Sequence, residues 1–144
     1  MTEPYRVLVT GSRTWDDKDF IWNMLDVLLA ELRHVIIVHG ACPKGADAIA
    51  QGWVRHHLIN RRNSQVRAER HPADWQQHGR AAGFRRNAEM VRLGADLCLA
   101  FVRDNSRGAT NCADLAERAG IEVRRFEYYA HSEEPVWPEG SYAP

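Results

Sequence analysis

The sequence has little of what would mark several protein classes. Its three cysteines, Cys42, Cys98 and Cys112, are an odd and scattered set that fits neither a disulfide framework nor a zinc site. Cys98 and Cys112 stand in apolar runs and read as small core residues, so a reducing compartment is expected, and no metal. No apolar run approaches the ~20 residues a membrane span needs. No leader peptide is visible, because Met1-Thr2-Glu3-Pro4 runs straight into a short apolar segment. The formal net charge is +0 and no basic run interleaves with aromatics, so a nucleic-acid partner is not expected. There is no internal repeat.

What remains is a chain of 144 residues, 44% hydrophobic, enough for one domain with a real core. Charge is unevenly spread. Residues 128–144 carry Glu133, Glu134 and Glu139 with no Lys or Arg, a charge of −3, which leaves +3 on residues 1–127. The organisation expected is therefore an α/β domain over 1–127 and an acidic tail over 128–144. Pro135, Pro138, Gly140 and Pro144 make that tail extended or disordered in this reading.

Apolar runs at Arg6–Thr10, Val35–Val38 and Asp96–Phe101 read as buried strands. Residues 65–71, less apolar, read as an edge strand, and Glu122–Phe126 as a fifth strand. Between them lie helical stripes. Ile21, Leu25, Leu28 and Leu32 follow the N-cap oxygens of Asp16 and Asp17. Ala46, Ile49, Ala50, Trp53 and Leu58 form the next stripe, a third helix covers about 81–93, and Cys112, Leu115, Ala116 and Ala119 mark a fourth over about 109–119. Residues 72–80 read as an irregular loop. Repeated strand–helix alternation predicts a single Rossmann-like α/β domain: a five-stranded parallel sheet with helices on both faces, and ligands at the carboxyl ends of the strands.

Three strand ends carry unusual residues: Gly11-Ser12-Arg13-Thr14-Trp15, His39 to Asp47, and Asp104 to Thr110. Each is a strand, a glycine-bearing turn and a helix start. Glycine lets backbone approach a ligand, and the helix start supplies free N–H groups and partial positive charge. Ser12, Arg13, Lys44, Arg107 and Thr110 add donors suited to phosphate oxygens. With Gly40, Ala41, Gly45, Ala46, Ser106, Gly108 and Ala109 they form the expected phosphate-holding set. The dinucleotide fingerprint fails at Arg13, and the Walker loop fails at Ala46, which follows Gly45 where lysine is required. His39 reads either as a ligand donor or as a capped core histidine. Asp47 reads as a ribose contact or a helix-start acid. Trp15 and Trp75 read as base-stacking surfaces or as core cover. His56, His57, Arg61 and Arg62 read as solvated surface. Arg86 and Asn87, with Asp74 nearby, stand where a helix start can reach over the sheet edge.

The order Val9-Thr10-Gly11-Ser12-Arg13, His39-Gly40-Ala41, Gly45-Ala46-Asp47, Pro72-Ala73-Asp74-Trp75, Ala82-Gly83-Phe84-Arg85-Arg86-Asn87-Ala88-Glu89-Met90 and Arg107-Gly108-Ala109-Thr110 resembles the YspA-like branch of the SLOG superfamily over residues 6–126. The resemblance implies a Rossmann-like fold that binds a nucleotide or a nucleotide-derived molecule such as an ADP-ribose or NAD derivative, with no further cofactor. It implies a bacterial or phage-infected cytoplasm and is compatible with a homodimer or higher homo-oligomer. Among relatives of this superfamily are cytokinin-activating phosphoribohydrolases, whose helix-start arginine corresponds to Arg86. Their catalytic glutamate falls on Cys112, and a thiol cannot stabilise an oxocarbenium ion as a carboxylate does. Binding is thus expected ahead of hydrolysis, for which Arg86 with Asp47, Asp74 or Asp114 would be the candidates. Single-stranded DNA binding, the role of another relative, a DNA-processing protein, stands third.

Overall fold

In the computed structural model, residues 3–60 and 65–128 are described. Five strands, β1 (Tyr5–Gly11), β2 (Val35–His39), β3 (Val66–Arg70), β4 (Leu97–Arg103) and β5 (Glu122–Tyr128), form one parallel sheet in the order β3-β2-β1-β4-β5. The sheet is the expected α/β Rossmann-like one, and the less apolar third strand lies at an edge. The three central strands are almost wholly buried, which is why they read as continuous apolar runs rather than alternating ones.

Successive side chains along each strand feed different cores. Val7, Val9, Ile37, Leu97, Leu99 and Phe101 pack under α1 (Lys18–Glu31) and α2 (Gly45–Asn60). Leu8, Ile36, Val38 and Cys98 pack under α4 (Ala82–Leu93) and α5 (Arg107–Arg118) through Met90, Cys112 and Ala116. The chain moves from β1 through β2 to β3, then crosses back to β4 beside β1. That change of direction puts the two helix pairs on opposite faces, as right-handed crossovers require.

Several details differ from the sequence reading. Residues 72–80 are not an irregular loop: Asp74 accepts a hydrogen bond from the Gln77 N–H at 3.1 Å and starts a short helix α3 (Trp75–His78), continued by a 3-10 turn at Gly79–Ala81. Leu58 is exposed, and the α2 stripe is completed instead by Val54 and His57. His57 is therefore not solvated surface; its ring lies 4.5 Å from that of Trp53. α5 starts at Arg107, two residues earlier than expected, and its buried stripe is Ala109, Cys112, Ala113 and Ala116, with Ala119 exposed. Tyr128, assigned to the tail, is the last residue of β5. Arg61 and Arg62, and the tail from residue 129, lie outside the described residues.

Candidate functional site

β1 and β4 are neighbours, yet the chain leaves them towards opposite edges of the sheet. A cleft of about 690 Å³ opens at their carboxyl ends. This is the switch point where open α/β sheets receive ligands, and the volume suits a small molecule.

The β1 turn contributes Gly11, Ser12, Arg13 and Thr14 to the wall. The polar groups of Ser12 are engaged within the protein. The Ser12 hydroxyl accepts from the Arg103 N–H at 2.7 Å and donates to the Arg103 carbonyl at 3.2 Å, which sews β1 to β4. A Cβ on Gly11 would lie 2.8 Å from the Phe101 carbonyl oxygen and collide with Ala46. The following helix, α1, is capped by Asp17, whose carboxylate accepts from the Phe20 N–H at 3.1 Å.

The β2 turn is closed in the same way. Gly45 has φ +73°, and a Cβ there would collide with the Ser12 carbonyl and lie 2.6 Å from the Arg13 Cα. The Ala46 N–H donates to the Ser12 carbonyl at 3.2 Å, so the start of α2 is docked on the β1 turn. Lys44, Gly45 and Ala46 consequently do not line the cleft; Gly40, Ala41 and Asp47 do. His39 is buried at 1% exposure. Its Nδ1 accepts from the Ala41 N–H at 3.0 Å, and its Nε2 stands 2.7 Å from Gln51 Oε1. Those bonds fit the neutral ring, and burial lowers its pKa in agreement. His39 thus holds Ala41 in its left-handed conformation, φ 57°, and is the capped core histidine of the two readings.

The β4 turn is different. Asp104 and Asn105 both take positive φ, 54° and 55°, and swing the chain into α5. Ser106 occupies the N-cap without a side-chain hydrogen bond. A Cβ on Gly108 would meet nothing within 4 Å. Ser106, Gly108 and Ala109 line the cleft, whereas Arg107 and Thr110 do not. The first N–H groups of α5 thus have no side-chain cap beside the cavity, whereas α1 is capped by Asp17 and the Ala46 N–H at the start of α2 is taken by the Ser12 carbonyl.

α4 supplies one of the cleft's cations. Arg86 donates through Nη1 to the Gly40 carbonyl and, at 3.3 Å, to the His71 carbonyl. A side chain on Gly40 would overlap its guanidinium. Asn87, 4% exposed, accepts from Arg86 Nε at 2.9 Å and donates to the Gly108 carbonyl at 3.2 Å and to Asn111 Oδ1 at 3.3 Å. Asn87 therefore positions Arg86 and ties α4 to the start of α5. No ion pair neutralises Arg86 among the described residues.

Two exposed aromatics stand on the rim: Trp75, 50% exposed, and Phe84, 45% exposed. The Arg13 guanidinium lies 5.7 Å from the Trp75 ring centroid. Asp47 is buried among these groups and accepts from the Cys42 N–H at 3.3 Å. Burial raises its carboxyl pKa, opposed by the Cys42 N–H and the nearby Arg86 guanidinium.

Other expected residues lie elsewhere. Trp15 is core, 3% exposed, packed on Phe20, Phe101 and Tyr128, with its indole N–H donating to the Asp17 carbonyl at 3.1 Å. A ring enclosed by three aromatics has no face for a base. Asp74 is the α3 cap and does not line the cleft. Asp114 is paired with Arg125 at 2.8 Å, on the side of α5 that meets β5. Cys112 is fully buried, and burial pushes its thiol up to about 11, so no acid occupies that position. Sequence reasoning missed Arg80, Phe84 and Arg103 as cleft residues. An exposed aromatic beside paired arginines at a helix start was a usable signal for Phe84. Arg103, held by the Thr14 carbonyl and the Asp16 carboxylate at 3.0 Å each, had none.

No helix among the described residues is long and apolar enough to cross a membrane. Among the same residues, no group of three or more His, Cys, Asp or Glu side chains is placed to hold a metal ion.

No solved structure matches the chain. The Gene 61 protein of Mycobacterium phage D29 is 44% identical over 122 residues, covering 84% of this chain and 95% of the phage protein. The model of the YspA, cpYpsA-related SLOG family matches residues 5–78, from β1 through α3. That segment carries the β1 and β2 turns, Gly40 beneath Arg86, and Trp75 on the rim, and on it rests the assignment: the chain belongs to the YspA, cpYpsA-related SLOG family.

Proposed function

We propose that the switch-point cleft binds a nucleotide or a nucleotide-derived molecule, such as an ADP-ribose or NAD derivative, and that the protein senses or sequesters it. The observation that carries this reading is the uncapped start of α5 beside Arg86, in a cleft rimmed by two exposed aromatics. Helix N–H groups and a guanidinium suit phosphate oxygens. Trp75 and Phe84 offer π-faces to a base. Membership of a SLOG family agrees with nucleotide-related binding. The test is a thermal-shift panel of AMP, NAD, ADP-ribose and cyclic variants. A bound ligand stabilises the fold by RT ln(1 + [L]/Kd). Upward shifts that disappear in Arg86→Gln are expected; no shift at millimolar ligand would sink the reading.

Hydrolysis of an N-glycosidic bond is the second reading, favoured by one observation: a buried acid, Asp47, lines the same cleft with its pKa raised, as a general acid needs. Release of free base from a nucleoside monophosphate, lost in Asp47→Asn, would establish it.

A further inference from the structure

Behind Arg86 lies a second cavity, of about 560 Å³, at the β3 edge of the sheet. Arg86 and Pro72 line both cavities and form the ridge between them. Arg86 also bonds both sides of that ridge, donating to the Gly40 carbonyl at the end of β2 and to the His71 carbonyl beyond β3. The second cavity is lined by no exposed Trp, Tyr or Phe, and most of its lining residues are ionisable.

Of its two acids, Glu89 is paired with Arg92 at 2.6 Å, whereas Asp74 accepts the Gln77 N–H as the cap of α3 and has no ion-pair partner among the described residues. His71 faces Glu69 at 2.8 Å. Two cations are left over. Arg70, the last residue of β3, and Arg85, next to Arg86 on α4, are exposed and make no ion pair among the described residues. The groove thus presents two guanidinium groups without an ion-pair partner against the single unpaired carboxylate of Asp74, and the Arg86 guanidinium lies between it and the cleft.

We propose that this second groove seats a second phosphate of the same ligand, so that the ligand carries two nucleotide units and straddles Arg86. The first unit lies in the cleft, with its base on the rim aromatics. The connecting or terminal phosphate of the second unit meets Arg70 and Arg85, for which guanidinium is the suited partner. This rests on the nucleotide reading of the cleft given above.

The experiment is calorimetric titration of the full chain with AMP, with 5′-phosphorylated diadenylate and with longer oligoadenylates. Diadenylate is expected to bind at least about tenfold more tightly than AMP, the gain of one well-paired phosphate. The double variant Arg70→Gln with Arg85→Gln, both surface positions, is expected to lose that gain while keeping its affinity for AMP and its unfolding midpoint. Equal affinities for AMP and diadenylate would overturn the second groove and leave the cleft reading intact. So would a double variant that weakens AMP and diadenylate alike. Affinity that keeps climbing with oligoadenylate length would overturn it in favour of a nucleic-acid track. Binding of none of these probes would overturn the cleft reading and the second groove together.

Discussion

At the ends of β1 and β2 the glycines are pressed against the protein's own atoms, Gly40 against the Arg86 guanidinium and Gly45 against the β1-turn backbone, and at the end of β4 Gly108 faces open space. Gly11 and Gly45 let two turns press together, with the Ser12 carbonyl receiving the Ala46 N–H. The α1 start is closed by Asp17 and the α2 start by Ser12, whereas the α5 start has no side-chain cap. The same strand–glycine–helix pattern therefore serves two ends. On one side it builds a rigid wall, and on the other it leaves donors exposed. A glycine-rich turn becomes a binding element only when no neighbouring chain segment has claimed its N–H groups.

The comparison can be broken by substitution. The two tryptophans separate most widely. Trp15→Ala is expected to cost roughly 3–5 kcal/mol of stability, as deletion of a core aromatic does. Trp75→Ala should leave stability within about 0.5 kcal/mol and instead lower nucleotide affinity by roughly 1–3 kcal/mol. Chemical denaturation and calorimetric binding on both variants check this; a stable Trp15→Ala protein would show that the β1 wall is not rigid.

The two glycines come next. Gly45→Ala must accept φ +73° and a collision with backbone, and is expected to lose roughly 2–4 kcal/mol in denaturant unfolding. Gly108→Ala has room and lies inside a helix, so stability should hold or rise by up to about 1 kcal/mol. Its methyl group should nevertheless weaken binding, because it faces the space the ligand needs. A Gly108→Ala protein with undiminished affinity would remove α5 from the site.

Asn87→Ala joins the two sides. It frees Arg86 and cuts the link to Gly108, so both stability and affinity should fall, stability by roughly 1–2 kcal/mol. An affinity loss without a stability loss would place Asn87 against the ligand itself.

The smallest effect is electrostatic and concerns the closed side alone. Arg6 on β1 holds Glu69 on β3 in a two-point pair at 2.9 and 2.8 Å, with His71 assisting. The Arg6 guanidinium depresses the Glu69 carboxyl to about 2 from the usual 4.5. Because the folded pKa is lowered, the contribution is complete above about pH 4.5 and is lost as pH falls towards about 2. The carboxylate is 35% exposed, so solvent screening holds the effect to about 1 kcal/mol. Unfolding midpoints between pH 5 and pH 2 should fall less in Glu69→Gln than in the native chain.

Much of the fold was legible, for identifiable reasons. Val7 to Val9, Val35 to Val38 and Leu97 to Phe101 read as buried strands because a sheet covered on both faces needs unbroken apolar runs. The edge position of β3 was legible from Arg67, Glu69 and Arg70. Leu58 and His57 were misread because adjacent positions on α2 differ by 100° of rotation, and an apolar residue was preferred to a histidine that Trp53 in fact covers. The short helix at Trp75–His78 was missed because one Asp74 cap, rather than any periodicity, begins it.

For the site, the sequence by itself determined the strand ends, the glycines and the basic pair Arg85-Arg86, since these follow from local pattern and residue chemistry. It could not assign the roles. Whether Ser12 meets a ligand or the Arg103 backbone, whether Trp15 or Trp75 offers a free face, and whether Asp114 reaches the cleft or Arg125 depend on contacts between residues far apart in the chain. Only the tertiary structure decided those. Hydrogen-bond donors and apolar faces are consumed by whichever neighbour the fold brings first, and what is left unclaimed among the described residues, at the start of α5 and on Arg86 Nη2, is what remains for a ligand.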